Sequence, residues 1–333
     1  MDRLSGFTEG DYLRTVEGLF FAVKGGVHPD NMVIAYLRYI PDPRGGRSKG
    51  GVHYRRVSDI GETTRYLEEH YPMYLNHIRR LNMTLQSVPV HRVAGVYKPR
   101  ERLGEILENP ATLLEKILVR FAEAIADESR VPLSGFGVSG SLLIGLDIEG
   151  SDVDLNVYGL DEGRKVYEAL KKLRRTGGWV SPYDDETVKN VLFSRWGDLG
   201  RLKELAEVEK RKVLHGRVMG TDYFVRLLRD EESYLSKPMD VVTLKARVAD
   251  SSGSIYTPCT YRVDEVETLS DPIQGEITEL VSYRGKFTEQ AEAGDWVRVR
   301  GTLEEVQGPD GAHFRVILGG EGDYLLPLFL DNF

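Results

Sequence analysis

The stretch Ser151-Asp152-Val153-Asp154-Leu155-Asn156-Val157 sets two carboxylates two positions apart, each followed by an apolar residue. Alternate side chains of a strand point to the same side, so Asp152, Asp154 and Asn156 share one face while Val153, Leu155 and Val157 share the other. Like charges held this close disfavour joint ionisation unless something neutralises them. A hard divalent cation bound through oxygen does so, and Mg²⁺ keeps waters and substrate phosphates as its other ligands. Upstream, Gly140-Ser141 closes one apolar run and opens another, SLLIGL. Glycine lets the backbone approach a phosphate, a helix start offers unpaired N–H groups, and the serine hydroxyl adds a donor. A phosphate cradle beside a carboxylate-metal pair suits a nucleoside triphosphate, with its α-phosphate at the metals and its outer phosphates on the cradle.

Gly140-Ser141, a ten-residue spacer and then Asp152-Val153-Asp154-Leu155 resemble the signature of the nucleotidyltransferase superfamily related to DNA polymerase beta. Gly145 and Ser151 are also similar to members of that family. The resemblance covers residues 140–159 directly, and 111–236 when the order of strands and helices is included. The flanking regions resemble an archaeal group of predicted nucleotidyltransferases. The resemblance implies a mixed sheet flanked by helices and a two-metal transfer of a nucleoside monophosphate from a nucleoside triphosphate to an acceptor hydroxyl, with release of pyrophosphate. It implies Gly140 and Ser141 as nucleotide-binding residues and Asp152 and Asp154 as catalytic ligands of Mg²⁺ or Mn²⁺. A third carboxylate from a later strand completes the pattern; Asp222 in MGTDYFVRLL is the expected one, with Asp240 in PMDVVTL in reserve. RNA is the favoured acceptor. The alternatives are a nucleotide-binding regulator with little turnover and an RNA-binding adaptor whose flanking regions carry the function.

The elements that must position these residues are legible as an α+β chain of three parts. Residues 1–108 form a basic, β-containing region, 109–236 the catalytic domain, and 237–333 an all-β domain, either a small barrel or a sandwich. GLFFAV and NMVIAYLRYI read as a hairpin around turn residues. The loop PDPRGGRSKGG carries Arg44, Arg47 and Lys49 near Arg38, His53, Arg55 and Arg56, where cations for phosphate could gather. Residues from Asp59 to about Leu107 read as mixed helix and loop. In ENPATLLEKILVRFAEAIADE, Asn109 reads as the cap and Pro110 as the first residue of an amphipathic helix. Helices follow at EGRKVYEALKKLRR and from about Asp185 to Leu214, then strand composition returns at GRVMGTDYFVRLL. Beyond Pro238 come short alternating runs separated by Gly, Pro, Asp and Ser.

Composition narrows the chemistry. The chain has 333 residues and a net charge of −8, divided as +3 over residues 1–110, −3 over 111–236 and −8 over 237–333. A polyanionic partner such as RNA is therefore expected to meet the N-terminal part. The single cysteine, Cys259, excludes an internal disulfide and a cysteine-built zinc site. The seven histidines show no HxxxH or HxH spacing, so a histidine metal site is not expected. Arg226, four positions past Asp222 and on the same strand face, reads as an ion-pair partner. Trp296, Arg298 and Arg300 alternate with Val297 and Val299 and read as a contact surface in preference to a nucleic-acid platform. No apolar run reaches the roughly 20 residues of a membrane span, and the N-terminus resembles neither a secretory nor a transit signal; a cytoplasmic location is expected.

Overall fold

The computed structural model describes residues 6–176, 178–196, 202–230, 233–269, 275–308 and 311–328. Contacts along the chain divide it into two compact units, one running to Tyr158 with Asp230–Ser233 added, the other comprising Gly159–Arg229 and Tyr234 onward. The class is mixed α+β, dominated by sheets. Among the described residues no helix is long and apolar enough to cross a membrane.

The first unit begins with β1 (Tyr12–Thr15), β2 (Phe20–Val23), β3 (Met32–Pro41), β4 (Arg47–Lys49) and β5 (Val52–Arg56). Then come α1 (Ile60–His70), β6 (Leu75–Ile78), β7 (Met83–Pro89), β8 (Val93–Tyr97), α2 (Pro99–Glu108) and α3 (Leu113–Ser129). β9 (Phe136–Val138), α4 (Gly140–Ile144) and β10 (Val153–Tyr158) close it. The expected hairpin is β2–β3, at the centre of an antiparallel sheet ordered β4-β5-β3-β2-β1-β8, with β7 also pairing β3. One face of this sheet buries Leu13, Phe21, Val33 and Leu37 against Leu67 of α1 and Tyr74. The other face is aromatic: Tyr12, Phe20, Tyr39 and Tyr54 pack on Leu143, Ile144 and Leu146 in and after α4.

Two local expectations change. α3 starts later than the Asn-Pro pair suggested, because Thr112 and Glu115 form a capping box, each side chain bonding the other's backbone N–H. Asn109 instead ends α2. The segment 59–107, read as mixed helix and loop, contains three strands. β6 and β7 mix polar and apolar residues, and 3-10 turns at Arg79–Leu81 and Val90–Arg92 separate β6, β7 and β8, so no strand shows a clean alternation. The predicted strand-to-helix handover is present: β9 leads into α4, and β10 pairs β9 antiparallel with Leu155 opposite Val138. Val153, Leu155 and Val157 are each 0% exposed, the buried face that alternation required.

The second unit opens with α5 (Leu160–Thr176), β11 (Val180–Ser181), α6 (Asp185–Trp196) and α7 (Leu202–Arg211). β12 (His215–Val218) and β13 (Thr221–Leu228) form a hairpin through Met219 and Gly220, both at positive φ (49° and 82°). That conformation matches the right-handed twist of paired strands. β14 (Leu235–Asp250), β15 (Tyr256–Thr257), β16 (Cys259–Thr268), β17 (Ile277–Ser282), β18 (Trp296–Gly308), β19 (Gly311–Leu318) and β20 (Tyr324–Leu328) complete it.

The all-β region is a barrel, not a sandwich. Five strands close in the order β14-β16-β17-β19-β18, with β18 returning to β14 and only β17–β19 parallel, the connectivity of an OB-type barrel. Closure is possible because β14 is 16 residues long and bulged at three places, so it pairs β18 along one part and β16 along another. Val188, Leu192, Trp196 and Leu205 from α6 and α7 join the barrel's core.

Candidate active site

Gly140 and Asp154 are forced together by the backbone. The Ser139 N–H donates to the carbonyl of Asp154 at 2.9 Å, anchoring the end of β9 to β10. Gly140 then turns with φ at 62°, and a Cβ built on it would stand 2.0 Å from Oδ2 of Asp154. Only glycine meets both demands, the left-handed backbone and the close approach. The turn continues into α4, ended by Gly145 at φ 64° as the Leu146 N–H reaches the carbonyl of Ser141 at 2.9 Å. α4 has only five residues, so its dipole is weak, and the cradle expected at Gly140-Ser141 rests on backbone placement more than on a helix field. Ser141 is 5% exposed.

Asp152 and Asp154 are half-buried, so both carboxylates keep access to solvent. Asn156 shares their face but is 1% exposed, and neither atom of its amide has a hydrogen-bond partner. Its Nδ2 lies 2.2 Å from where a Cβ on Gly10 would sit, so packing against the N-terminal loop removes Asn156 from the open part of the face. Ser151 organises the approach to Asp152: its hydroxyl accepts the Ile148 N–H at 2.9 Å.

The basic residues of the β4–β5 hairpin are mostly committed elsewhere. Arg47 donates to the carbonyl of Leu146, and Lys49 to that of Ile144 while lying 4.7 Å from the Tyr97 ring centre. Arg55 pairs with Glu62 at 2.7 Å, and the Arg44 side chain is 94% exposed beside Asp42. The expected phosphate-gripping loop is therefore a clamp on the end of α4. Arg56 differs. It stands opposite Tyr39 in the β3–β5 ladder. Burial alone would lower its pKa, but Tyr39, Asp152, Asp154 and Tyr12 together hold it above the ordinary arginine value. No spacing in the sequence connects Arg56 to Tyr39; the β3–β5 register does.

The expected third carboxylate stands on a different footing. Asp222 lies on β13 opposite Arg217, whose Nε is 3.4 Å from its carboxylate. Arg226 lies with its guanidinium 5.3 Å from the Phe224 ring centre. Asp240 is exposed at the bulge of β14. Among the described residues no three His, Cys, Asp or Glu side chains converge as a metal cluster. What converges is the pair alone. Two half-exposed carboxylates against a glycine backbone suit Mg²⁺ or Mn²⁺, which needs one or two protein oxygens when phosphates and water complete the shell.

Other reactive groups are accounted for. Cys259 is 1% exposed, and burial pushes its thiol up to about 12, which leaves no thiolate for nucleophilic chemistry. Val297 and Val299 are buried as alternation required. The ring of Trp296 carries Lys245 at 4.6 Å, and Arg300 pairs with Asp323 at 3.4 Å, so much of that surface is already engaged.

No protein-family model matches the chain, and no solved structure matches it. It is 30% identical over 329 residues to the uncharacterized protein MJ1086 of Methanocaldococcus jannaschii, an alignment that covers 93% of this chain and 94% of that one. The similarity thus runs through both units and is not confined to the glycine-aspartate stretch. The chain belongs to the family of that archaeal protein.

Proposed function

We propose that the protein is a metal-dependent nucleotidyltransferase of the DNA polymerase beta-like type, transferring a nucleoside monophosphate from a nucleoside triphosphate to an acceptor hydroxyl, with RNA as the favoured acceptor. The observation that carries this reading is the contact between the Gly140 backbone and the Asp154 carboxylate, with Asp152 two residues before it on the same open face. The glycine turn lies directly against the Asp154 carboxylate. It leaves room for phosphate oxygens beside cation ligands.

In this reading the acceptor oxygen attacks the α-phosphorus, the bond from that phosphorus to the bridging oxygen breaks, and pyrophosphate leaves with the electron pair. Asp152 and Asp154 would hold Mg²⁺ or Mn²⁺, which would supply charge neutralisation at the phosphates and acidify the acceptor hydroxyl. The chain's own part is placement. The Gly140 turn fixes Asp154, the Ser151 hydroxyl fixes the loop before Asp152, and the buried valines and leucine of β10 keep both carboxylates on one side. Such positioning accounts for much of the rate in phosphoryl-type transfer. Asp222 is proposed as the third carboxylate.

One observation favours a second reading, a nucleotide-binding regulator with little turnover: no three-carboxylate cluster forms among the described residues. Incubation with each α-labelled triphosphate, Mn²⁺ and total RNA plus protein extract separates the two. Label in RNA or protein that disappears in Asp152→Asn/Asp154→Asn supports transfer and names the acceptor class. Metal-dependent nucleotide binding without label transfer replaces the enzyme with the regulator.

A further inference from the structure

We propose that the outward face of β14 and β18 in the closed barrel binds single-stranded RNA, with a base stacked on Trp296 and backbone phosphates held by Lys245 and Arg298. The inference is independent of the nucleotidyl-transfer reading, since none of these residues belongs to the glycine-aspartate element. Along β18, Trp296, Arg298 and Arg300 alternate with Val297 and Val299, whose side chains are 0% exposed in the barrel core. The first three therefore point outward. β14 does the same beside them: Leu244, Ala246 and Val248 are buried, and Thr243, Lys245 and Arg247 face out. The two strands pair antiparallel with Arg247 opposite Trp296, Lys245 opposite Arg298 and Thr243 opposite Arg300.

That register sets two like charges directly against each other, an arrangement that destabilises a ladder. The outer cations of the face are neutralised: Arg247 holds Asp264 at 2.7 Å and Glu265 at 2.6 Å, and Arg300 reaches Asp323 at 3.4 Å. The central two are not. Among the described residues neither Lys245 nor Arg298 forms an ion pair, although Glu267 stands opposite Lys245 on β16. The Lys245 ammonium lies instead 4.6 Å from the centre of the half-buried Trp296 ring, and Arg298 is exposed. A polyanion removes the repulsion by neutralising both charges, and the indole selects its kind. Every base offers a π-face to an aromatic ring, whereas a run of carboxylates offers none. On its flexible stem the ammonium leaves the ring for a phosphate as a base takes its place. The Arg298 fork takes a neighbouring phosphate. β18 alone reads as a contact surface; the register with β14 adds the second cation and sets it against the first.

The test uses the full chain and a fluorescein-labelled oligouridylate of about 12 nucleotides, followed by anisotropy from low to moderate salt. Wild type should bind at low salt. Trp296→Ala should weaken binding about tenfold, and Trp296→Phe should recover most of that loss. Arg298→Gln and Lys245→Gln should each weaken it severalfold and each lower the slope of log affinity against log salt by about 0.7. Arg262→Gln, from an exposed site on β16, should change neither affinity nor slope. Asp152→Asn/Asp154→Asn should bind as wild type does, so that failure of nucleotidyl transfer and failure of this surface read out separately. Absence of binding by wild type overturns the inference. So do an affinity and slope unchanged in Arg298→Gln, whose exposed side chain can be replaced without disturbing the core. If Trp296→Ala binds RNA as wild type does and polyglutamate displaces the RNA, the face takes an acidic chain and the inference fails.

Discussion

Two groups of carboxylates in this protein are treated in opposite ways. In the second unit, Glu209 is 1% exposed and receives Lys212 at 3.0 Å and Arg195 at 2.8 Å. Glu289 nearby accepts the N–H groups of Val213 and Leu214 at 2.6 and 3.0 Å and the Tyr167 hydroxyl at 2.9 Å. Burial opposes ionisation of Glu209, yet Lys212 and Arg195 outweigh it and hold the carboxyl below its usual range. In the first unit, Asp152 and Asp154 are half-open. A buried charge that is fully paired has been spent on holding elements together. A carboxylate pair on a half-open face keeps room for a ligand beside it. The contrast separates architecture from chemistry more sharply than the number of acidic residues does.

The comparison can be broken first at Lys212. Lys212→Ala should cost about 3–5 kcal/mol, because it strips a fully buried partner from Glu209 and leaves that charge with Arg195 alone. Urea denaturation measures this, and Asp152→Asn/Asp154→Asn should lie within about 1 kcal/mol of wild type in the same assay. If the aspartate variant is the one that unfolds, the open pair is structural and the contrast collapses.

A buried titratable group in the first unit sharpens the picture. His28 is 8% exposed, and burial pushes its imidazole down to about 4, while the Ile34 N–H donates to its Nδ1 at 3.3 Å. The folded state therefore binds its proton less readily than the unfolded chain. Its contribution is complete above pH 6.5 and is lost as pH falls from there through about 4, to a total of about 3 kcal/mol. His28→Gln should flatten the stability curve in that window relative to wild type; identical acid slopes would show that the imidazole is not sequestered.

The smallest expected effect is at Gly140. Gly140→Ala combines a left-handed backbone with a Cβ 2.0 Å from Asp154, which should cost roughly 2 kcal/mol. Metal-dependent nucleotide binding should be lost alongside, because Asp154 must move to relieve the contact. A variant that keeps both stability and nucleotide binding would show that the close approach of Gly140 is incidental.

How much could be read in advance differs between local and distant relations. The alternation in Asp152–Val157 identified the apolar face, and the structure has Val153, Leu155 and Val157 at 0% exposed, while Asn156 on the opposite face is buried as well, which alternation did not indicate. The β2–β3 hairpin was likewise legible, as was the strand composition of β12 and β13, because turn residues and strand propensity act within a few positions. The start of α3 was misplaced, since Asn109-Pro110 and Thr112–Glu115 are both valid local signals and only the capping box satisfies two N–H groups at once. Asp222 was chosen because the resemblance implies a third carboxylate on a later strand, and the structure gives it Arg217 as a neighbour.

By itself the sequence determined the glycine turn, the paired aspartates, the apolar face beneath them and the all-β character of the last third. Each depends on residue type and on spacing of a few positions, which periodicity expresses directly. Tertiary structure alone decided that the last third closes as a barrel, because closure depends on bulges that let β14 pair on both sides. It also decided the fate of the basic hairpin. Arg47 and Lys49 clamp α4 while Arg56 stands opposite Tyr39, a division set by strand register and sheet packing, which no local pattern encodes.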